Sequence, residues 1–127
     1  MSIELILETF SKMPKQVEKA WQHTQQGELI KAETIYHEIL EKQTNYPPAL
    51  YGLAVLADKI NDQLVREELL CEAIDQIKDS NDRNKKSLIA SWLTELADSL
   101  IKQNRQNEAR ECINESERLI NENLTGR

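Results

Sequence analysis

Glu95 and Asp98 stand three positions apart beside Thr94, a place in this chain where two carboxylates and a hydroxyl meet in sequence. Paired carboxylates can exchange protons with a substrate. Side chains three apart share one helix face, however, and charged ones there ordinarily form a solvated surface. No nucleophile with a base, Gly-rich phosphate loop or metal-ligand cluster accompanies them, so the chain reads as a non-enzyme with no catalytic residue. Cys71 and Cys112 sit in helical patterns, far apart and without a further Cys or His at ligand spacing. They read as a reduced structural pair, and the isolated His23 and His37 suggest no metal. No cofactor is expected either.

Charge narrows the partner classes. The formal net charge is -6, and the basic residues that do cluster, Arg83, Lys85 and Lys86, are diluted by Asp79, Asp82 and nearby Asn. Phosphate binding needs concentrated Lys and Arg, so no nucleic-acid partner is expected. Glu4 and Glu8 interrupt what would otherwise resemble a signal-peptide core, and no apolar run approaches a membrane span. The expectation is a cytoplasmic protein without membrane contact.

The elements that position these residues are helical. With 39% hydrophobic and 30% charged residues and only 3 Gly, 3 Pro and 1 Phe, the composition suits helices better than strands. Ile3, Ile6, Leu7 and Phe10 predict a short amphipathic helix over 2–11. It either caps the rest of the chain or joins a second copy to make a homodimer. Ser11 and Pro14 open a helix closed by Gly27, with Val17, Ala20, Trp21 and Thr24 on its less polar side. A helix over 28–43 presents Ala32, Ile35, Tyr36, Ile39 and Leu40. Pro47 and Pro48 then begin one that reaches Ile60, and Asn61 and Asp62 cap the next. That helix, over 63–79, should turn Leu64, Leu70, Ala73, Ile74 and Ile77 inward, with Val65 and Leu69 widening the apolar arc. After a polar loop over 79–84 come helices 85–103 and 106–121. The first carries Leu88, Ile89, Trp92, Leu93, Leu96, Ala97 and Leu100. The second carries Ala109, Cys112, Ile113, Leu119 and Ile120.

The pattern repeats. Leu53, Leu56, Ala57 and Ile60 slide onto Leu93, Leu96, Ala97 and Leu100 with the same internal spacing. Ala32 and Tyr36 after Gly27 align with Ala109 and Ile113 after Asn104, and less well with Arg66 and Leu70 after Asn61. Small residues at such positions let helix axes approach while large neighbours fill the groove. This resembles the tetratricopeptide repeat family, whose unit carries W-x2-L-G-x2-Y in its first helix and A-x3-F in its second. The likeness covers about residues 13–122 and rests on spacing more than identity: Leu53 and Leu93 stand for the Trp, Ala57 and Ala97 for the Gly. It implies an all-α single domain, a helical-hairpin repeat array with an N-terminal helix over 2–11. Its units would be 13–46, 47–79 and 85–122. A generic antiparallel helical bundle is the alternative.

The resemblance also implies a function, because tetratricopeptide arrays are protein-binding modules whose first helices line a concave groove. The groove positions here would be Val17, Trp21 and Thr24, then Tyr51, Ala54 and Asp58, then Ser91, Thr94 and Asp98. Trp21 and Tyr51 would anchor a partner. Asp58 and Asp98 stand where that family's carboxylate clamp needs cations, so a basic or apolar-basic segment of another protein is the expected ligand. The expected role is that of an adaptor or chaperone-like module. The alternatives are an accessory subunit or domain of an enzyme, without a catalytic site of its own, and a secretion-type chaperone that dimerises through residues 2–11.

Overall fold

The computed structural model describes residues 15–78 and 83–125, and its regular secondary structure there is entirely α-helical. Helix α1 spans Lys15–Gln25, α2 Leu29–Lys42, α3 Pro47–Lys59, α4 Gln63–Ile77, α5 Arg83–Lys102 and α6 Gln106–Thr125. Every helix packs on the next in the chain, and α1 also reaches α3. Helix α5 begins inside the expected polar loop, and α6 runs past the expected end at Asn121 to Thr125. The expected helix over 2–11 lies outside the described residues, as does the loop at 79–82.

Three turns share one construction. Gly27, Asn61 and Asn104 take left-handed backbone angles, with φ of 81°, 57° and 61°. In each, that residue's N–H bonds the carbonyl three back, at Thr24, Asp58 and Ile101. The next N–H, of Glu28, Asp62 or Arg105, bonds the carbonyl five back, at His23, Ala57 or Leu100. This pair of bonds satisfies carbonyls that a helix end leaves without partners, and it needs a residue that enters the left-handed region at low cost. Glycine does so freely, and Asn is the usual substitute. Because Asn61 is spent on that geometry, Asp62 alone caps α4, its carboxylate accepting from the Val65 N–H at 3.3 Å. Helices α2 and α3 are joined differently, with Asn45 left-handed, Tyr46 extended, and Pro47 and Pro48 in the first turn of α3.

Helix α3 is the spine. Nine of its thirteen residues are buried, among them Leu50, Tyr51 and Ala54 on one side and Ala49, Leu53 and Leu56 on another. A helix apolar nearly all round must be enclosed, and α3 accordingly joins a core shared with α1 and α2 to one shared with α4, α5 and α6. At Gly52 it packs so tightly on α2 that an added methyl would collide with the Tyr36 ring. Burial there pushes the Tyr36 phenol up to about 12.

Several residues expected to face inward do not. Ile60 is 67% and Leu64 59% exposed, and Val65, Ile113 and Ile120 are also on the surface. On α4 the inward places next to Leu64 and Val65 belong to Gln63 and Arg66, both buried. The reason is electrostatic: Arg66 enters the interior because carboxylates and a glutamine wait for it there.

Candidate functional site

Trp21 on α1, Tyr51 on α3 and Trp92 on α5 form one aromatic stack. The Trp21 and Tyr51 ring centroids lie 6.5 Å apart at an interplanar angle of 25°, and those of Tyr51 and Trp92 lie 5.2 Å apart at 11°. Offset rings at such distances attract beyond the area they bury. The Tyr51 hydroxyl donates to Glu95 Oε2 at 2.8 Å. Burial pushes the Tyr51 phenol far up, and the charge of Glu95 pushes it the same way. Burial likewise raises Glu95, against the hydrogen bond from Tyr51 that favours its ionised form. The indole N–H groups of Trp21 and Trp92 are buried without an acceptor. An unmet buried donor costs about 1–3 kcal/mol, so this stack carries two unspent hydrogen bonds.

Beside the stack lies an ion cluster centred on Arg66, which is only 5% exposed. Its Nη1 is 2.7 Å from Asp98 Oδ2 and 3.3 Å from Asp58 Oδ1, and its Nη2 is 3.8 Å from Glu95 Oε1. Lys102 completes the cluster at 3.2 Å from Asp58 and 3.1 Å from Asp98. Gln63 ties it to the turn, its amide donating to Asp58 and Asn61 at 3.0 Å each. The hydrogen bond from Arg66 holds Asp98 below the ordinary carboxylate range. Burial alone would raise Asp58, but hydrogen bonds from Gln63 and Lys102 and the charge of Arg66 carry it lower. Three carboxylates thus face two cations, and Glu95, the one driven up by burial, is the least well compensated.

The structure distributes the expected contact residues unevenly. Val17, Thr24, Tyr51 and Ala54 are packed inside, each at most 2% exposed. They hold helices together and present no free surface in this arrangement. Thr24 spends its hydroxyl on the Ala20 carbonyl. Trp21 is half-buried at one end of the stack, and Asp58 and Asp98 come together around Arg66 and Lys102. Ser91 and Thr94 belong elsewhere, lining a cleft with Ile120 and Leu124 of α6. There Thr94 lies 3.2 Å from the Ser116 hydroxyl. The acidic inner wall expected from Asp58 and Asp98 is largely neutralised by cations of the same chain.

Sequence reasoning passed over Arg66, Glu95, Lys102 and Trp92 as members of one site. One signal for Arg66 was available. Counting five residues on from Gly27, Asn61 and Asn104 gives Ala32, Arg66 and Ala109, so a large cation occupies a position that is alanine after the other two turns. A charge placed where helices approach must find counter-charges on a neighbouring helix. A second opening was also missed: a cleft between α2 and α4 above α3, lined by Leu29, Leu56, Val65 and Leu69 among others. No family model matches the chain, and no curated protein matches it in sequence.

Proposed function

We propose that this chain is a protein–protein interaction module of the adaptor or chaperone-like kind, built as about three helical hairpins in a tetratricopeptide-like array. The observation that carries the reading is the recurrence of one turn. Asn61 follows Gly27 by 34 positions, the length of that family's unit. A buried alanine stands seven residues before each turn residue, at Ala20, Ala54 and Ala97, where first helices come close. In this register Ala54, not Ala57, is the partner of Ala97, and the interval from Asn61 to Asn104 is 43. The slide by 40 that the sequence suggested matches equally apolar residues, because a helix face repeats every three or four positions.

Within such an array α1, α3 and α5 are the first helices of the hairpins, and the stack of Trp21, Tyr51 and Trp92 runs across all three. Trp21 is its accessible end. The proposed contact surface is therefore Trp21 with the outer edges of Asp58 and Asp98, while Val17, Thr24, Tyr51 and Ala54 support it from behind. A partner's apolar side chain laid on the open part of the Trp21 ring would extend the stack by one more layer. The test compares wild type with Trp21→Ala in affinity capture, using circular dichroism to verify helix content. Loss of captured proteins at unchanged helicity is expected. Identical captured sets would count against the reading.

A further inference from the structure

The cleft between α2 and α4 differs from the inner face in what its charges are doing. Its floor is apolar, with Leu53, Leu56 and Ala57 of α3 buried, and it encloses about 260 Å³. At its lip Ile60 and Val65 remain 67% and 40% exposed. Glu33 and Asp62 also line it. Among the described residues, neither carboxylate pairs with a lysine or arginine. Glu33 lies 3.7 Å from the His37 ring, and Asp62 accepts the backbone N–H of Val65.

The geometry points to this cleft as a docking site for a segment of another protein, one whose large apolar side chain fills the space and whose adjacent Lys or Arg pairs with Glu33 and Asp62. Each part of the occupant answers a feature of the site. The volume and lining call for a Leu- or Phe-sized group, since bound apolar anchors sit in concave, mostly apolar pockets with few polar groups to fix orientation. The two unneutralised carboxylates at the lip select the flanking charge, because complementary potentials steer encounter and reject anionic competitors. The chain's net charge of -6 points the same way. No residue of this cleft belongs to the aromatic stack or the Arg66 cluster, so the inference stands apart from the surface at Trp21.

A displayed random-peptide library selected against the full-length chain provides the test, with Ile60→Asp as a counter-bait. The Ile60 side chain is exposed, so this variant keeps the fold, and circular dichroism verifies it. Enriched peptides are expected to carry a large apolar residue within a few positions of Lys or Arg. The strongest, made synthetically, should lose roughly tenfold in affinity on the double variant Glu33→Gln, Asp62→Asn, a neutralisation that keeps a capping side chain at position 62. It should bind Ile60→Asp more weakly still, and wild-type binding should fall with added salt. Failure to enrich any peptide, enrichment without basic residues, or indifference to both variants would overturn the proposal. So would sensitivity to Trp21→Ala alone, or self-association seen in sedimentation and abolished by Ile60→Asp.

Discussion

Asp58 and Asp62 lie four residues apart on either side of one turn, and their charges have different fates. Asp58 faces Arg66 and Lys102 at 3.3 and 3.2 Å, inside a cluster that also takes up Asp98 and Glu95. Asp62 lines the apolar cleft and, among the described residues, meets no lysine or arginine. The turn between them causes the divergence: Asn61 in the left-handed conformation reverses the chain, so consecutive helix ends address opposite neighbours. A run of acidic residues in sequence is therefore no map of surface potential. The charge of Asp58 is taken up by cations of the same chain, while Asp62 caps α4 through one backbone N–H and keeps its charge without a cation among the described residues.

The largest expected effect comes from removing the centre of the inner cluster. Arg66→Ala leaves Asp58, Glu95 and Asp98 with Lys102 as the remaining cation of the cluster, and breaking a buried pair costs about 3–5 kcal/mol. Asp98 is half exposed, which places the loss near the low end of that range. Urea denaturation should report it as a lower midpoint. A loss below about 1 kcal/mol would mean that the cluster is as dispensable as a surface ion pair.

The acid dependence of stability sharpens the contrast further. Asp58 and Asp98 are held low, so their contribution is present above the ordinary carboxylate value of 3.8 and is lost as pH falls through their lowered values. Glu95 is raised, so its contribution has the opposite sign: full below 4.5 and lost as pH rises through its raised value. Glu95→Gln keeps an acceptor for the Tyr51 hydroxyl and removes the charge. The variant should lose the decline in stability that wild type shows as pH rises above 4.5, with an effect smaller than that of Arg66→Ala. Denaturation curves for both proteins from pH 4 to 8 would decide, and parallel pH profiles would show that Glu95 does not titrate differently in the fold.

The smallest effect belongs to the cleft. The double variant Glu33→Gln, Asp62→Asn should stay within about 0.5 kcal/mol of wild type, since both side chains are exposed and Asn caps a helix as well as Asp. A loss comparable to that of Arg66→Ala would abolish the distinction between the two regions.

Much of the fold was legible because backbone chemistry wrote it locally. Gly27 announced the end of α1, and Pro47 with Pro48 announced the start of α3, since few conformations suit them. The faces of α2 and α5 followed from apolar spacing. The face of α4 did not, because burial of Arg66 depends on Asp58, Asp98 and Glu95 lying across a helix junction, which no local window reveals. Leu64 and Val65 were expected inside on hydrophobicity, and a guanidinium with counter-charges took the inward place instead. The contact site fared similarly. Tyr51 has the composition of an interface anchor, but it is enclosed by two indoles, and nothing in its neighbourhood in sequence discloses that.

The aromatic stack makes the molecule its own optical probe. The chain has 2 Trp, one sealed inside and one partly open, with Tyr51 wedged between them as an energy donor to both. Iodide should therefore quench only the Trp21 share of the emission. Loosening of α1 from α3 would surface as a larger quenchable fraction well before circular dichroism registered any melting.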